Sequence, residues 1–338
     1  MTNSKPLNVI IAGFGWWGQH MVRRLTEHPE FHVLGVIEPV VAQHDKIRAT
    51  GVEPIADFDS VLTRDDVEAL ILTTPNTLHE EQVCKSAAAG KHVFCEKPLG
   101  LNGASAKRAV EACLKAGVQL GIGHERRFET AMLELRRMIE AGELGTIMHT
   151  EAAWVHDRLI NVPAGDWRTS KAVAPAAGMT GMGIHLTDLM ISFFGRVDTV
   201  QAMVGHRVLD WETGDVVTAQ LGFASGPTAT LSAILYTPQF IRMHVYGNKA
   251  WVQILNESQP DMPGGRVTMT ISESGKDHVV HEIEWNDAVV ANLEAFKRAA
   301  RGEAAYAFTP EQMVHNIEVL EAIAQSAEDR ETVRIPAA

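Results

Sequence analysis

Lys97 is the side chain around which this 338-residue chain can build chemistry. It comes just after a short apolar run, Lys91 to Cys95, that reads as a buried strand stopped by Glu96, Lys97 and Pro98. Pro98 lacks an amide hydrogen and fixes its own φ, so it ends the strand and narrows the directions open to Lys97. A strand of a parallel sheet delivers the residues after it to the sheet's carboxyl edge, where ligands of open α/β folds bind. An ammonium there donates hydrogen bonds to a substrate oxygen and stabilises negative charge on it. The plain alternative is a solvated charge pair at a strand end. Far along the chain, His185 falls on the first turn of a helix expected over Ile184 to Phe194, behind Gly183. Amides and the positive dipole end there favour a neutral, proton-accepting imidazole. Asp188, one turn on, either holds that ring or packs and caps. The alternative for His185 is a satisfied, partly buried histidine.

The elements before Lys97 supply a second chemistry. Leu7 to Ala12 is a β-branched strand that runs into Gly13-Phe14-Gly15-Trp16-Trp17-Gly18 and then a helix, Gln19 to Glu27. This is G-x-G-x-x-G between strand and helix, the context that the dinucleotide fingerprint requires. Gly13 permits the tight turn, Gly15 lets amides approach a pyrophosphate, and Gly18 lets helix and strand pack closely. Phe14 belongs to the same loop, and Trp16 and Trp17 either cover it or touch the cofactor. The next strand, Phe31 to Ile37, ends at Glu38, 25 positions after Gly13, where the fold places its ribose-binding acid. A carboxylate accepts both ribose hydroxyls and repels a 2′-phosphate. Pro39-Val40-Val41 come next, with no immediate arginine or serine, so the expected cofactor is NAD rather than NADP. A strand Ala69 to Thr73 leads to Thr74-Pro75-Asn76 at the same edge, beside the cofactor. His79, which opens the helix Leu78 to Ala89, is expected among the cofactor-binding residues as well, and reads more readily as structural than catalytic. Asn76, Glu96 and Arg127 are expected to position cofactor or substrate.

Strands alternating with helices, continued by a helix Asn102 to Ala116 and a strand Val118 to Ile122, predict an N-terminal doubly wound parallel sheet of Rossmann type. Residues 1–123 form that domain, and 124–338 a C-terminal α+β domain. The latter opens with a helix, Thr130 to Glu140, whose Met132, Leu135, Met138 and Ile139 share a face. Thr146 to His156 is extended and carries Trp154. Arg158 to Ala176 is irregular and carries Trp167 and Arg168, an aromatic and a guanidinium suited to a sugar or a carboxylate, or equally a packed Trp beside a solvated Arg. From Val197 the period changes to two, and seven strands with glycine turns predict a large, mostly antiparallel open-faced sheet run as a meander. Ser258 to Gly265 is a Pro/Gly loop. Helices Asp287 to Ala300 and Pro310 to Glu328 finish the chain and are expected to return towards the first domain, with Tyr306 and Phe308 in the core between them. The sheet's uncovered face calls for a second subunit, giving a homodimer or homotetramer.

Composition bounds the partners. Hydrophobic residues make up 46%, charged residues 21%, and the net charge is −12, which argues against nucleic acid and an anionic membrane surface. Cys84, Cys95 and Cys113 have no metal-ligand spacing and read as reduced thiols of a cytoplasmic protein, with no metal site expected. The polar stretch Met1 to Pro6 and the short apolar run Val9 to Ala12 do not suit a signal segment.

Gly13 to Gly18, Thr74-Pro75-Asn76 with His79, and Gly90 to Pro98, all in order, resemble the Gfo/Idh/MocA family of NAD(P)-dependent oxidoreductases. The resemblance covers nearly the whole chain, and Glu96-Lys97-Pro98 is its most specific part. Gly123-His124-Glu125-Arg126-Arg127-Phe128 looks like the family's crossover into the second domain. Trp167-Arg168 and Gly183-Ile184-His185-Leu186-Thr187-Asp188-Leu189 look like its substrate-side segments. The resemblance implies that Lys97 contacts the reacting hydroxyl and His185 takes its proton. It also implies that His124, Arg127, Trp154, Trp167 and Arg168 face a carbohydrate or polyol substrate. One departure stands out: many members carry an aspartate four residues before that histidine, where this chain has Gly181. Asp157, Asp166 and Thr180 are the candidates to replace it. The departure keeps open an oxidation-driven elimination or glycoside cleavage with NAD recycled. A non-catalytic NAD sensor is the third reading.

Overall fold

The computed structural model of the chain describes residues 5–163, 165–258 and 261–337. Positions 1–4 of the polar N-terminal stretch and positions 259 and 260 of the expected Pro/Gly loop lie outside the described residues. The chain divides into two compact units: residues through His124 with Val290–Val314, and Glu125–Val289 with the chain from His315 on. The second unit is therefore not the continuous segment 124–338 expected from sequence, because most of the helix Ala288–Ala300 belongs to the first.

The first unit holds six strands: β1 (Leu7–Ala12), β2 (Phe31–Ile37), β3 (Pro54–Ile55), β4 (Ala69–Leu72), β5 (His92–Cys95) and β6 (Leu120–Ile122). They form one parallel sheet in the order β3-β2-β1-β4-β5-β6. This is the doubly wound order of dinucleotide-binding folds, with its switch point between β1 and β4. Buried on both faces, β1 and β4 are almost continuously apolar, as parallel strands must be. The crossover helices start and stop on local chemistry. Asn102 and Ser105 make a reciprocal capping box ahead of the helix Gly103–Ala116, and Gly117 ends it in the left-handed conformation at φ 68°. The helix Trp16–Leu25 begins at Trp16, three residues before the predicted start, with Gly15 at its N-cap.

The second unit is built on nine strands: β7 (Ile147–Val155), β8 (Val197–Gly205), β9 (Val216–Phe223), β10 (Thr228–Ile234), β11 (Phe240–Gly247), β12 (Ala250–Asn256), β13 (Val267–Glu273), β14 (Val279–Ile283) and β15 (Val333–Arg334). Their order is β14-β13-β12-β11-β7-β10-β9-β8-β15. The single meander expected from sequence is thus two short meanders separated by β7, which runs parallel to β10 and antiparallel to β11. The segment 235–239 joins β10 to β11 across β7. It need cover only about 10 Å, two strand spacings, well within the reach of five extended residues.

The helix Gly183–Phe194 packs on β7 and β10 and is apolar almost all round, as a fully covered helix should be. Polar links hold it along its length, with Arg136 on Ser192 near its end and two others on its first turns. Asn316 accepts from the Thr187 hydroxyl at 2.6 Å and donates to the Ile184 carbonyl at 3.1 Å. Asp188 takes Nε and Nη2 of Arg127, each at 2.7 Å, with both side chains 2% exposed. Breaking a buried pair leaves the survivor's charge stranded. Asp188→Ala should therefore lower stability by about 3–5 kcal/mol, read as a fall in the urea midpoint. Arg127→Met combined with Asp188→Leu should recover most of the loss. A single variant unfolding with the parent would show that the pair holds nothing.

Candidate functional site

Because all six strands of the first unit are parallel, the segments after β1, β2, β4, β5 and β6 emerge at one edge. Gly13–Gly18, Glu38, Thr74–Asn76, Glu96–Lys97 and Gly123–His124 therefore share the carboxyl edge. The edge is tied together by its own side chains. Thr73 Oγ1, just past β4, donates to the carbonyls of Ala12 (2.9 Å) and Gly13 (3.1 Å), joining the two strands at the switch point. Gly13 has φ 95°, and a Cβ on it would meet the Thr73 carbonyl oxygen at 2.9 Å. A Cβ on Gly18 would run into the Gly13 carbonyl. Both glycines are thus required by close approach. Gly15 differs: a Cβ there meets no atom within 4 Å, so the space above the helix N-terminus is open.

Glu38, 8% exposed, accepts from the Phe14 amide (3.2 Å) on one oxygen and the Val40 amide (2.9 Å) on the other. Its carboxylate is held against the glycine loop, with lone pairs left for a diol. Trp16 is 60% exposed and packs edge-on against His20, whereas the Trp17 indole nitrogen is buried with no hydrogen-bond partner. The Asn76 side-chain amide nitrogen is likewise buried and unpartnered. Two orphaned donors, an uncapped helix N-terminus and a bare Gly15 are what a dinucleotide's oxygens require, so the residues present fit NAD. His79 faces the carbonyls of Pro98 and Thr74. Glu96 is buried, its carboxylate lies where a Cβ on Gly123 would fall, and it accepts from the Lys97 amide at 3.3 Å. Lys97 is half-buried, and the Lys97–Pro98 peptide is cis. His124 is buried, its ring 6.4 Å from that of Phe308.

In the second unit His185 is 3% exposed on the first turn of its helix, with the Trp154 ring 5.5 Å away. The Trp154 indole also lies under the Arg126 guanidinium, 5.1 Å from ring centre to Cζ. The sequence offered Asp188 to the imidazole, but both its oxygens go to Arg127, which was expected at cofactor and substrate. Of the replacements considered for the missing aspartate, Asp157 is exposed. Asp166 caps the turn Trp167–Thr169 and pairs with Arg168, and the Thr180 hydroxyl goes to the Pro175 carbonyl. A Cβ on Gly181 meets no atom within 4 Å, so the position is open space. Trp167 and Arg168 stack on each other at 4.3 Å and are half-buried. Burial, then Arg158, pushes the His156 imidazole down to about 4, so it is neutral at ordinary pH.

One polar group carries no signal in the sequence. The carboxamide of Gln239 has both its nitrogen and its oxygen buried without a partner. Ile241 is paired with Trp154 in register, so alternation carries Gln239 to the face that bears Trp154 and His156. A glutamine in a linker looks like any other, since only the strand pairing brings it to that face. Among the described residues no group of three or more His, Cys, Asp or Glu is placed to hold a metal, and no helix is long and apolar enough to cross a membrane.

Residues 7–124 match the family model of the oxidoreductases with an NAD-binding Rossmann fold, and residues 132–253 match the GFO/IDH/MocA C-terminal domain. The chain is 27% identical over 294 residues to 2,7-anhydro-N-acetylneuraminate hydratase of Escherichia coli, covering 83% of this chain and 74% of that one. It is 26% identical over 321 residues to the rhizopine catabolism protein MocA of Rhizobium meliloti, covering 92% of each. The fold is that of the aldose-aldose oxidoreductase of Caulobacter crescentus, at a TM-score of 0.86 and 23% identity over 98% of this chain and 100% of that one. With the two family models spanning both units, the chain belongs to the Gfo/Idh/MocA family of NAD-binding oxidoreductases.

Proposed function

We propose that this oxidoreductase is an NAD-dependent dehydrogenase of a secondary alcohol in a sugar, sugar derivative or cyclic polyol. The observation that carries the reading is Lys97, set directly after β5 on the sheet edge that also bears the glycine loop and Glu38. Bound at that edge, NAD supplies the hydride acceptor. Lys97 donates a hydrogen bond to the substrate hydroxyl and stabilises the alkoxide as it forms. His185 takes the hydroxyl proton as general base, its ring steadied by Trp154 and its helix by Asn316 and Arg127. The amides of Gly13–Gly18 hold the pyrophosphate, Glu38 the adenosine ribose, and Thr74–Asn76 with Glu96 the nicotinamide side. Trp154, His124, Trp167 and Arg168 serve the substrate wall. The Gln239 carboxamide, a donor beside an acceptor, suits a pair of vicinal hydroxyls. A cytoplasmic homodimer or homotetramer formed through the outer sheet face, where Met203 and Val280 are exposed, goes with this reading.

A second reading is favoured by the hydratase relative: transient oxidation drives addition or elimination of water and the cofactor is restored each turn. The open space at Gly181, where dehydrogenases of this resemblance carry aspartate, points the same way. Absorbance at the NADH band separates the two. Net reduction of NAD by a panel of sugars, sugar acids and inositols supports the dehydrogenase, and substrate consumption without it supports the second reading.

Lys97→Ala should cut turnover at least a hundredfold while fluorescence titration shows NAD still bound. Turnover near the parent's would remove Lys97 from the chemistry. Glu38 makes a further prediction. The parent should bind NAD more tightly than NADP, and Glu38→Gln should narrow the preference about tenfold, roughly 1.4 kcal/mol. NADP binding the parent more tightly would refute the assignment.

A further inference from the structure

His79 is 1% exposed at the start of the helix His79–Ala88. Its Nδ1 lies 2.7 Å from the Pro98 carbonyl oxygen and its Nε2 3.0 Å from the Thr74 carbonyl oxygen. One imidazole therefore spans two segments of the carboxyl edge: the turn after β4 that bears Asn76, and the segment after β5 that bears Lys97. Burial, opposed by the two carbonyls and aided by the Lys97 charge, pushes its pKa down. A neutral ring has one N–H for two acceptors, and the shorter contact is to Pro98.

The two segments are not held equally. Thr74 is tied a second time, through its hydroxyl to Gln82 Oε1 at 2.5 Å, which lies on the same helix. Pro98 has no amide hydrogen of its own, and His79 is the side chain that meets its carbonyl. Removing the imidazole thus leaves the cofactor turn anchored and releases the segment beside Lys97.

We propose that His79 is a positioning residue for Lys97: by holding the Pro98 carbonyl against the helix that carries the Thr74–Asn76 turn, it sets the direction in which the Lys97 amine leaves the sheet edge. The proposal rests on the reading of Lys97 as the group that meets the substrate oxygen.

Asparagine places its amide nitrogen close to where a histidine has Nδ1, and glutamine places its own close to Nε2. His79→Phe should bind NAD within threefold of the parent yet turn over at least tenfold more slowly, with KM moved less than threefold. His79→Asn, which can still donate to Pro98, should restore most of the lost kcat, whereas His79→Gln should not. Crystals of the two amide variants with NAD should show the Pro98 carbonyl in place in the first and displaced in the second. Parental turnover in His79→Phe, equal rescue by Gln and Asn, or loss of NAD binding in step with kcat would each overturn the proposal. Lys97→Ala, assayed alongside, tells the two failures apart. If Lys97→Ala is slow and His79→Phe is not, only the positioning role falls; if Lys97→Ala is unimpaired, the Lys97 reading itself falls.

Discussion

In the first unit everything depends on one constraint: parallel strands all end at the same edge, and the backbone that leaves them there must find partners away from the ladder. The edge solves this with its own side chains. Thr73 bridges the ends of β1 and β4, and Glu38 takes amides from the glycine loop and from its own turn. His79 faces carbonyls on either side of it. The same groups that satisfy the backbone therefore set the geometry of the cofactor crevice. What the edge leaves unsatisfied is equally informative. The donors of Trp17 and Asn76 are buried and unpartnered, which suits a ligand rich in oxygen.

The second unit positions its histidine by different means. Its helix is apolar on nearly every side, which sets depth but not rotation, since no face prefers water. Rotation comes from the few polar links, among them Asn316 to Thr187 and Ile184, Arg127 to Asp188, and Arg136 to Ser192. A buried ion pair loses solvation that its mutual attraction only partly restores, so a pair at this depth is better understood as a device for placement than as a source of stability. Trp154 extends the arrangement, its indole 5.1 Å from the Arg126 guanidinium and 5.5 Å from the His185 ring. Arg126 is itself surrounded by Glu125, Glu129 and Asp261, which keep its guanidinium charged despite burial.

The two units offer their polar groups in different ways. The carboxyl edge of the first unit is built from backbone and from residues that hold backbone. Gly181 and Gln239 lie outside the helices and strands of the second unit, where the residue type changes the hydrogen bonds on offer without disturbing the core.

The amino-acid sequence by itself determined what depends on near neighbours. The glycine loop with its strand and helix, Glu38 at a strand end, the capping of Gly103–Ala116 and the proline behind Lys97 are all set by residues within a few positions of one another. So is the change to a period of two that announces the second sheet. Tertiary structure alone decided which distant segments meet. It placed β7 between β10 and β11 and sent Val290–Val314 to the first unit. It gave Asp188 to Arg127, 61 positions away, and brought Gln239 to the face of Trp154. Periodicity and turn chemistry act over a few residues, so they are written locally. Pairing between remote strands and side chains is chosen by competition among all the surfaces the folding chain can bury, and no short stretch of sequence holds that choice.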